Sequence, residues 1–117
     1  MTRILIADPD PTSRKALRLL LSQKFSITSI VEAGDTETLI RCLADNSLDI
    51  LLLDWKLYGA PAPETCRLIL KAYPELKIIL LSVAAEDYHF AAKVGAAFIH
   101  KGASPAEVIA VLESLVN

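Results

Sequence analysis

The feature that most constrains this chain is a regular alternation of short, wholly apolar runs with longer amphipathic stretches. Three of the runs, Ile4–Ala7, Ile50–Leu53 and Ile78–Leu81, contain no polar residue. Strands without polar alternation are typical of a parallel sheet that is buried on both faces. Because parallel strands are joined by long right-handed crossovers, usually helices, the alternation predicts an α/β doubly wound sheet in three layers.

Five strands and five helices are predicted, in strict alternation. The other two strands are Ile27–Val31 and Ala97–His100. The first two predicted helices are Thr12–Lys24 and Asp35–Asn46, the second with Asp35 as its N-cap. The third follows the loop Leu57–Pro63 and ends at about Tyr73, before Pro74. The fourth is roughly Ala85–Val94 and ends at Gly95, and the fifth begins at the capping box Ser104–Glu107 and ends at about Val116. Without a linker, repeat or low-complexity tract between them, residues 1–117 are predicted to form a single domain.

Composition narrows the class of protein. A chain of 117 residues with 53% hydrophobic residues and a mean hydropathy of +0.42 is long enough for one core and excludes disorder. A net charge of −2 argues against nucleic-acid binding by this chain. The apolar runs are far below the ~20 residues of a membrane span, and no signal peptide is predicted. Cys42 and Cys66 fit neither a metal site nor a disulfide framework, so a cytoplasmic domain without a membrane partner is expected.

Polar side chains follow four of the five predicted strands. Asp8 follows the first strand, Asp54 the third, Ser82 the fourth and Lys101 the fifth. The carboxyl ends of parallel strands meet at one edge of the sheet, where functional groups gather. Carboxylates offer oxygen ligands for Mg²⁺ and a possible nucleophile, a hydroxyl donates to a phosphoryl oxygen, and an ammonium neutralises its charge. Together the four groups favour phosphoryl chemistry.

Around these residues the chain resembles the receiver domain of two-component response regulators, over essentially its whole length. The matching segments are Ile4–Asp8, Leu51–Asp54, Ile79–Ser82 and Ile99–Pro105, the last being most similar to receivers of the LuxR/NarL type. The resemblance implies a flavodoxin-like sheet of strand order 2-1-3-4-5. It also implies a signalling domain, not an ordinary enzyme, that receives a phosphoryl group from a histidine kinase or phosphotransfer protein. Such a domain is either a stand-alone protein or one part of a longer regulator with a DNA-binding output domain.

The resemblance also assigns roles to individual residues. Asp54 would be the phosphoacceptor, Ser82 would bind a phosphoryl oxygen and Lys101 would pair with it. Asp8, Asp54 and the main-chain carbonyl of Lys56 would hold Mg²⁺ as the cofactor. These roles are expectations carried over from the family onto the matching positions.

A switch and an output surface are implied in the same way. Ser82 would be one switch residue, and Phe98 lies where the family often has an aromatic one, although a core aromatic is the alternative. Output is expected on the face of the fourth helix, fifth strand and fifth helix, or through the first and fifth helices of a homodimer. Val111 and Val116 on the last helix are the apolar residues that fit such a surface.

One position departs from the family pattern. Two adjacent acidic residues usually follow the first strand, and the second is a metal ligand, whereas here Asp8 is followed by Pro9. Asp10 either reaches the metal or caps the first helix with Pro11 at its first position, and the Asp-Pro pattern favours the cap. A weakened Mg²⁺ site is therefore expected.

Other classes of protein compete with this interpretation. Asp8-Pro9-Asp10 has the D-x-D form of haloacid-dehalogenase-type phosphatases, but late in the chain only Glu107 and Glu113 on the last helix are available, which disfavours that class. A dinucleotide-binding module is disfavoured because no G-x-G-x-x-G follows the first strand. A receiver-like interaction module that works without phosphorylation stays open as the second hypothesis.

Overall fold

The computed structural model describes residues 2–24 and 27–116, whose strands form one parallel sheet that alternates with helices. The elements are β1 (Thr2–Ala7), α1 (Pro11–Lys24), β2 (Ile27–Ala33), α2 (Thr36–Asp45), β3 (Ile50–Asp54), α3 (Ala62–Ala72), β4 (Lys77–Ser82), α4 (Tyr88–Val94), β5 (Ala97–His100) and α5 (Pro105–Val116). The strand order is β2-β1-β3-β4-β5, and every neighbouring pair is parallel. The predicted fold class and strand order are confirmed.

Helices cover both faces of the sheet because successive strand residues point to opposite sides. Ile4 and Ile6 belong to a core that α1 and α5 complete with Leu21 and Leu112. Leu5 belongs to the opposite core, which α2, α3 and α4 cover. Since burying one such side chain contributes about 1.5 to 3 kcal/mol, the wholly apolar strands hold the three layers together.

The helix ends follow the caps that the sequence predicted. The carboxylate of Asp35 accepts the N–H of Thr38 at 2.7 Å, and this bond lowers the pKa of Asp35. The hydroxyl of Ser104 accepts the N–H of Glu107 at 3.2 Å in the capping box of α5. Gly95 ends α4 at φ +80°, a left-handed conformation that suits glycine. No helix within residues 2–24 and 27–116 is long and apolar enough to cross a bilayer.

The fourth helix is shorter than predicted. In place of one helix over Ala85–Val94, a single 3₁₀ turn precedes α4, which begins at Tyr88. The N–H of Asp87 donates to the carbonyl of Ala84 at 3.1 Å, the spacing of a 3₁₀ bond. The Asp87 carboxylate also accepts a hydrogen bond from the Ser82 hydroxyl, so this side chain is engaged within the turn and does not cap α4.

Candidate functional site

Three of the predicted residues meet at the carboxyl edge of the sheet. Asp8 follows β1, Asp54 ends β3 and Lys101 follows β5. The Lys101 ammonium donates to Oδ2 of Asp54 and, at 3.2 Å, to Oδ2 of Asp8. The side chains of Asp8 and Asp54 are 3% and 2% exposed, whereas that of Lys101 is 27% exposed. The site is therefore a buried pair of carboxylates that shares one partly exposed cation.

The second oxygen of each carboxylate binds the backbone two residues further on. Oδ1 of Asp8 accepts the N–H of Asp10 at 2.8 Å, and Oδ1 of Asp54 accepts the N–H of Lys56 at 2.7 Å. These bonds orient each carboxylate against its own loop. With Lys101 on the other oxygens, the three side chains carry a net charge of −1 when ionised.

The charges of this site are stabilised by the groups around them. Burial raises the pKa of Asp8, but hydrogen bonds from the Asp10 N–H, the Ser13 side chain and Lys101 outweigh it, so the pKa lies below the usual 3.8. Burial lowers the pKa of Lys101, but its hydrogen bonds to the two carboxylates outweigh this effect and raise the pKa above 10.5. Asp8 is therefore a carboxylate and Lys101 an ammonium at neutral pH.

A charged cluster on α1 and β2 holds the loop that carries Asp8. Nη1 of Arg14 donates to the main-chain carbonyl of Asp8 at 2.5 Å, and its Nε donates to Glu32 at 3.1 Å. Arg18 donates to the other oxygen of Glu32 at 2.6 Å. The N–H of Asp8 donates to the carbonyl of Ala33 at 3.0 Å. The sequence pattern does not point to this cluster beyond one signal, the four-residue spacing of two arginines on one helix face.

The loop after Asp54 is fastened to the start of α2. The N–H and the hydroxyl of Thr36 both donate to the carbonyl of Tyr58, at 2.8 and 2.9 Å. Gly59 has φ +112°, and a Cβ there would lie 2.7 Å from the Thr36 hydroxyl, so only glycine fits. These contacts hold the loop that contains Lys56, whose carbonyl was the expected metal ligand.

Ser82 is brought to the same edge, but its hydroxyl is engaged elsewhere. Ser82 is 2% exposed, and the N–H of Lys101 donates to its carbonyl at 2.9 Å. Its hydroxyl donates to Oδ2 of Asp87 at 2.6 Å and accepts the N–H of Ala84 at 3.1 Å. Nothing in the sequence pattern points to Asp87 as the partner of Ser82.

Asp10 caps α1 and does not join the carboxylate pair. Its Oδ1 accepts the N–H of Thr12 at 2.9 Å, and the residue is exposed. In the described part of the chain, no group of three or more histidine, cysteine or acidic side chains is arranged to hold a metal. The two carboxylates nevertheless fit a divalent cation, since their hard oxygens carry more negative charge than Lys101 neutralises.

The expected switch residue Phe98 lies on β5, whereas Val116, at the end of α5, lines a groove with Thr2 and Lys77 at the opposite, amino edge of the sheet. Phe98 is half-buried against the core of α2, α3 and α4, and its ring meets Tyr88 edge-on at 6.3 Å between centroids. Val111 is half-buried, and Val116 is 39% exposed. Phe98 therefore packs as a core aromatic in this conformation and also contacts the first residue of α4.

The sequence matches the model of the response regulator receiver domain over residues 4–113. The chain is 29% identical to the response regulator UvrY of Escherichia coli K12 over 121 residues, which cover 100% of this chain and 55% of that protein. It is 25% identical to the response regulator GacA of Pseudomonas viridiflava, over 93% of this chain and 52% of that protein. The chain thus spans about half the length of these relatives. It belongs to the response regulator receiver domain family, as the sequence predicted.

Solved structures agree in fold. The isolated receiver domain of RcsB from Salmonella enterica serovar Typhimurium, in the presence of the phosphomimetic BeF₃⁻, superposes with a TM-score of 0.92 at 21% identity, over 98% of this chain and 88% of that one. TrrA of Thermotoga maritima, in complex with Mg²⁺-BeF, superposes with a TM-score of 0.87 at 24% identity, over 98% and 99%. With the family match over residues 4–113, the chain is a receiver domain of a two-component response regulator, and the interaction module without phosphorylation is not favoured.

Proposed function

We propose that this domain accepts a phosphoryl group on Asp54 and thereby switches its contacts with other proteins. The observation that carries the proposal is the position of Asp54 at the end of the central strand β3. Its neighbours are Asp8, beyond β1, and Ser82, at the end of β4, and Lys101 donates to its buried carboxylate. Of these two buried carboxylates, Asp54 is the one that ends the central strand, with Asp8 on one side and Ser82 on the other.

The chemistry needs a phosphodonor of the phosphohistidine type, on a histidine kinase or phosphotransfer protein. A carboxylate oxygen of Asp54 forms a bond to phosphorus while the bond between phosphorus and the histidine nitrogen breaks. The imidazole keeps the electron pair and takes a proton from solvent. Lys101, which already donates to Asp54, then pairs with the negative phosphoryl oxygens.

Mg²⁺ would be held by Asp8, Asp54 and the main-chain carbonyl of Lys56. When bound, it supplies positive charge to the phosphoryl oxygens. Two findings support this assignment: the site has an excess negative charge, and the related TrrA was solved with Mg²⁺-BeF. Because Pro9 offers no carboxylate and Asp10 caps α1, this chain would offer Mg²⁺ one charged ligand fewer, and we expect a lower affinity.

The acceptor assignment is tested by incubating the domain with acetyl phosphate and Mg²⁺ and measuring intact mass. Wild type should gain one phosphoryl group, and Asp54→Asn should gain none. Asp45→Asn, an exposed acid on α2, is the matched control and should react like wild type. Equal phosphorylation of Asp54→Asn and wild type would show that the acceptor is another residue.

The metal site is tested by Mg²⁺ titration of the fluorescence of Trp55, the single tryptophan, which follows Asp54 directly. Pro9→Asp should bind Mg²⁺ about ten- to a hundredfold more tightly, since one charged partner contributes about 1.5 to 3 kcal/mol. Asp10→Asn should bind like wild type, because Asp10 caps α1. If Pro9→Asp and wild type bind equally, the site is not weakened by Pro9.

The output of the switch is proposed on the same basis. The RcsB structure bound to promoter rprA, of which this chain covers 62%, supports action beside a part of the regulator that binds DNA. From the resemblance of residues 99–105 we propose that this part is of the LuxR type and that the regulator is cytoplasmic. Phosphorylation would favour a homodimer through α4, β5 and α5, or through α1 and α5. Sedimentation of the domain with and without beryllofluoride tests this step: the dimer fraction should rise, and an unchanged monomer would contradict it.

A further inference from the structure

The hydroxyl of Ser82 has already used its only proton. A serine hydroxyl donates one hydrogen bond and accepts up to two. Here it donates to the Asp87 carboxylate at 2.6 Å and accepts from the Ala84 N–H at 3.1 Å. A phosphoryl group on Asp54 would offer acceptor oxygens, so Ser82 can bind it only after its bond to Asp87 breaks.

We propose that Asp87 is a positioning residue that competes with the phosphoryl group for the Ser82 hydroxyl and so couples phosphorylation to the start of α4. The inference rests on Asp54 being the phosphoacceptor. The proposal adds the residue that opposes binding of the phosphoryl group by Ser82, which is Asp87, and the backbone segment that would rearrange when that bond breaks.

The competing bond is a strong one. It joins a hydroxyl to a carboxylate, and such charge-assisted bonds are about twice as strong as neutral ones. Ser82 is 2% exposed, so solvent does not offer its hydroxyl an easy substitute. The unphosphorylated form is therefore stabilised by an interaction that the phosphorylated form has to give up.

The released carboxylate has a second place to bind. Asp87 is the residue before α4, at the N-cap position, where aspartate is among the preferred residues. In the described structure its side chain makes no capping bond, and its backbone is right-handed helical at φ −66°, ψ −15°, in place of the extended conformation of a cap. Freed from Ser82, it can cap α4 once its backbone becomes extended, which opens the 3₁₀ turn.

This rearrangement would reach the surface through Tyr88. Tyr88 is the first residue of α4, is 54% exposed and contacts the ring of Phe98. A change at Asp87 therefore moves an exposed aromatic beside β5. Residues 83–88 thus connect the hydroxyl that would bind the phosphoryl group with an exposed aromatic side chain, Tyr88.

The test measures beryllofluoride binding in Mg²⁺ by Trp55 fluorescence. Asp87→Ala should bind the analogue about tenfold more tightly than wild type, and Asp87→Asn, which accepts without a full charge, should lie between them. Glu86→Ala removes the same charge from the exposed neighbouring position and should bind like wild type. If Asp87→Ala binds no more tightly than Glu86→Ala, the proposal is wrong.

A double-mutant cycle separates competition for Ser82 from a merely structural effect. In the Ser82→Ala background, Asp87→Ala should no longer change the affinity, because the contested proton is absent. An equal gain in both backgrounds would overturn the proposal. If wild type and Asp87→Ala both fail to bind beryllofluoride and to accept a phosphoryl group from acetyl phosphate, the proposed acceptor function itself fails.

Nuclear magnetic resonance of the wild-type domain gives a readout independent of affinity. Addition of beryllofluoride should shift the amide signals of residues 84–88, because the 3₁₀ turn rearranges. The same addition to Ser82→Ala should leave these signals near their free positions while Lys56 still responds. Unmoved signals of residues 84–88 in wild type at saturation would contradict the coupling.

Discussion

Asp8 and Ser82 are equally buried, each 2% exposed, but their partners lie at different distances along the chain. Asp8 binds Lys101, 93 positions away, and Lys101 binds Asp54 across 47 positions. Ser82 binds Ala84 and Asp87, two and five positions away. The first set, Asp8, Asp54 and Lys101, is called the acidic half of the site below, and Ser82 with Asp87 is called the hydroxyl half.

The difference separates two kinds of stability. The acidic half exists only when β1, β3 and β5 are all in place, so its bonds break with the whole fold. The hydroxyl half can exchange partners when one loop rearranges, which requires far less free energy. The proposed function uses both properties, because the acceptor would stay in position while the segment after Ser82 rearranges.

The largest expected effect comes from removing the shared cation. Lys101→Met leaves two buried carboxylates without their common partner and should lower the free energy of unfolding by about 3 kcal/mol. Ser82→Ala should cost about 1 kcal/mol, the usual value of one hydrogen bond. Urea unfolding in a metal chelator measures both.

Lys93→Met, at an exposed position of α4, serves as the control for loss of a lysine charge. Added Mg²⁺ should restore part of the stability of Lys101→Met, because a cation can take the place of the ammonium between Asp8 and Asp54. If Ser82→Ala costs as much as Lys101→Met, the two halves do not differ in the way described.

A smaller effect is expected at the cluster behind the acidic half. Glu32→Gln weakens the pairing that orients Arg14 toward the Asp8 carbonyl and should lower stability by about 1 kcal/mol. Glu37→Gln is the matched control. The side chains of Glu37 and Arg41 are 86% and 64% exposed, so their ion pair should contribute only a few tenths of a kcal/mol to stability.

Thermal unfolding in chelator measures both variants, and Mg²⁺ titration of each tests whether the Asp8 loop has loosened. Glu32→Gln should bind Mg²⁺ more weakly than Glu37→Gln does. Equal stability and equal affinity would mean that the α1–β2 cluster does not support the acidic half.

The smallest effect concerns local opening of the two halves. The amide of Lys56 donates to a buried carboxylate of the acidic half, whereas the amide of Ala84 donates to the hydroxyl of Ser82. Hydrogen exchange of Ala84 should be faster, because its loop opens without disturbing the sheet. In Asp87→Ala the exchange at Ala84 should increase further, and slower exchange at Ala84 than at Lys56 would reverse the comparison.

Much of the fold could be predicted because its signals are local. The wholly apolar strands require burial on both faces, and the caps at Asp35 and Ser104 involve residues three positions apart. The polar residues that end the strands were recognisable for the same reason, since a parallel sheet brings its carboxyl ends to one edge. The absence of the second acidic residue of the family pattern was also visible directly, because Pro9 occupies its position.

Only the tertiary structure decided which of these groups bind one another. Lys101 could have paired with a surface acid, and nothing in the pattern around Arg14 names the Asp8 carbonyl as its partner. The bond from Ser82 to Asp87 likewise joins two side chains across a turn, and helical periodicity does not register it. The periodicity of apolar residues indicates which positions are buried, and it can be read from the order of residues alone. Hydrogen-bond partners depend on distances that exist only after the strands have paired.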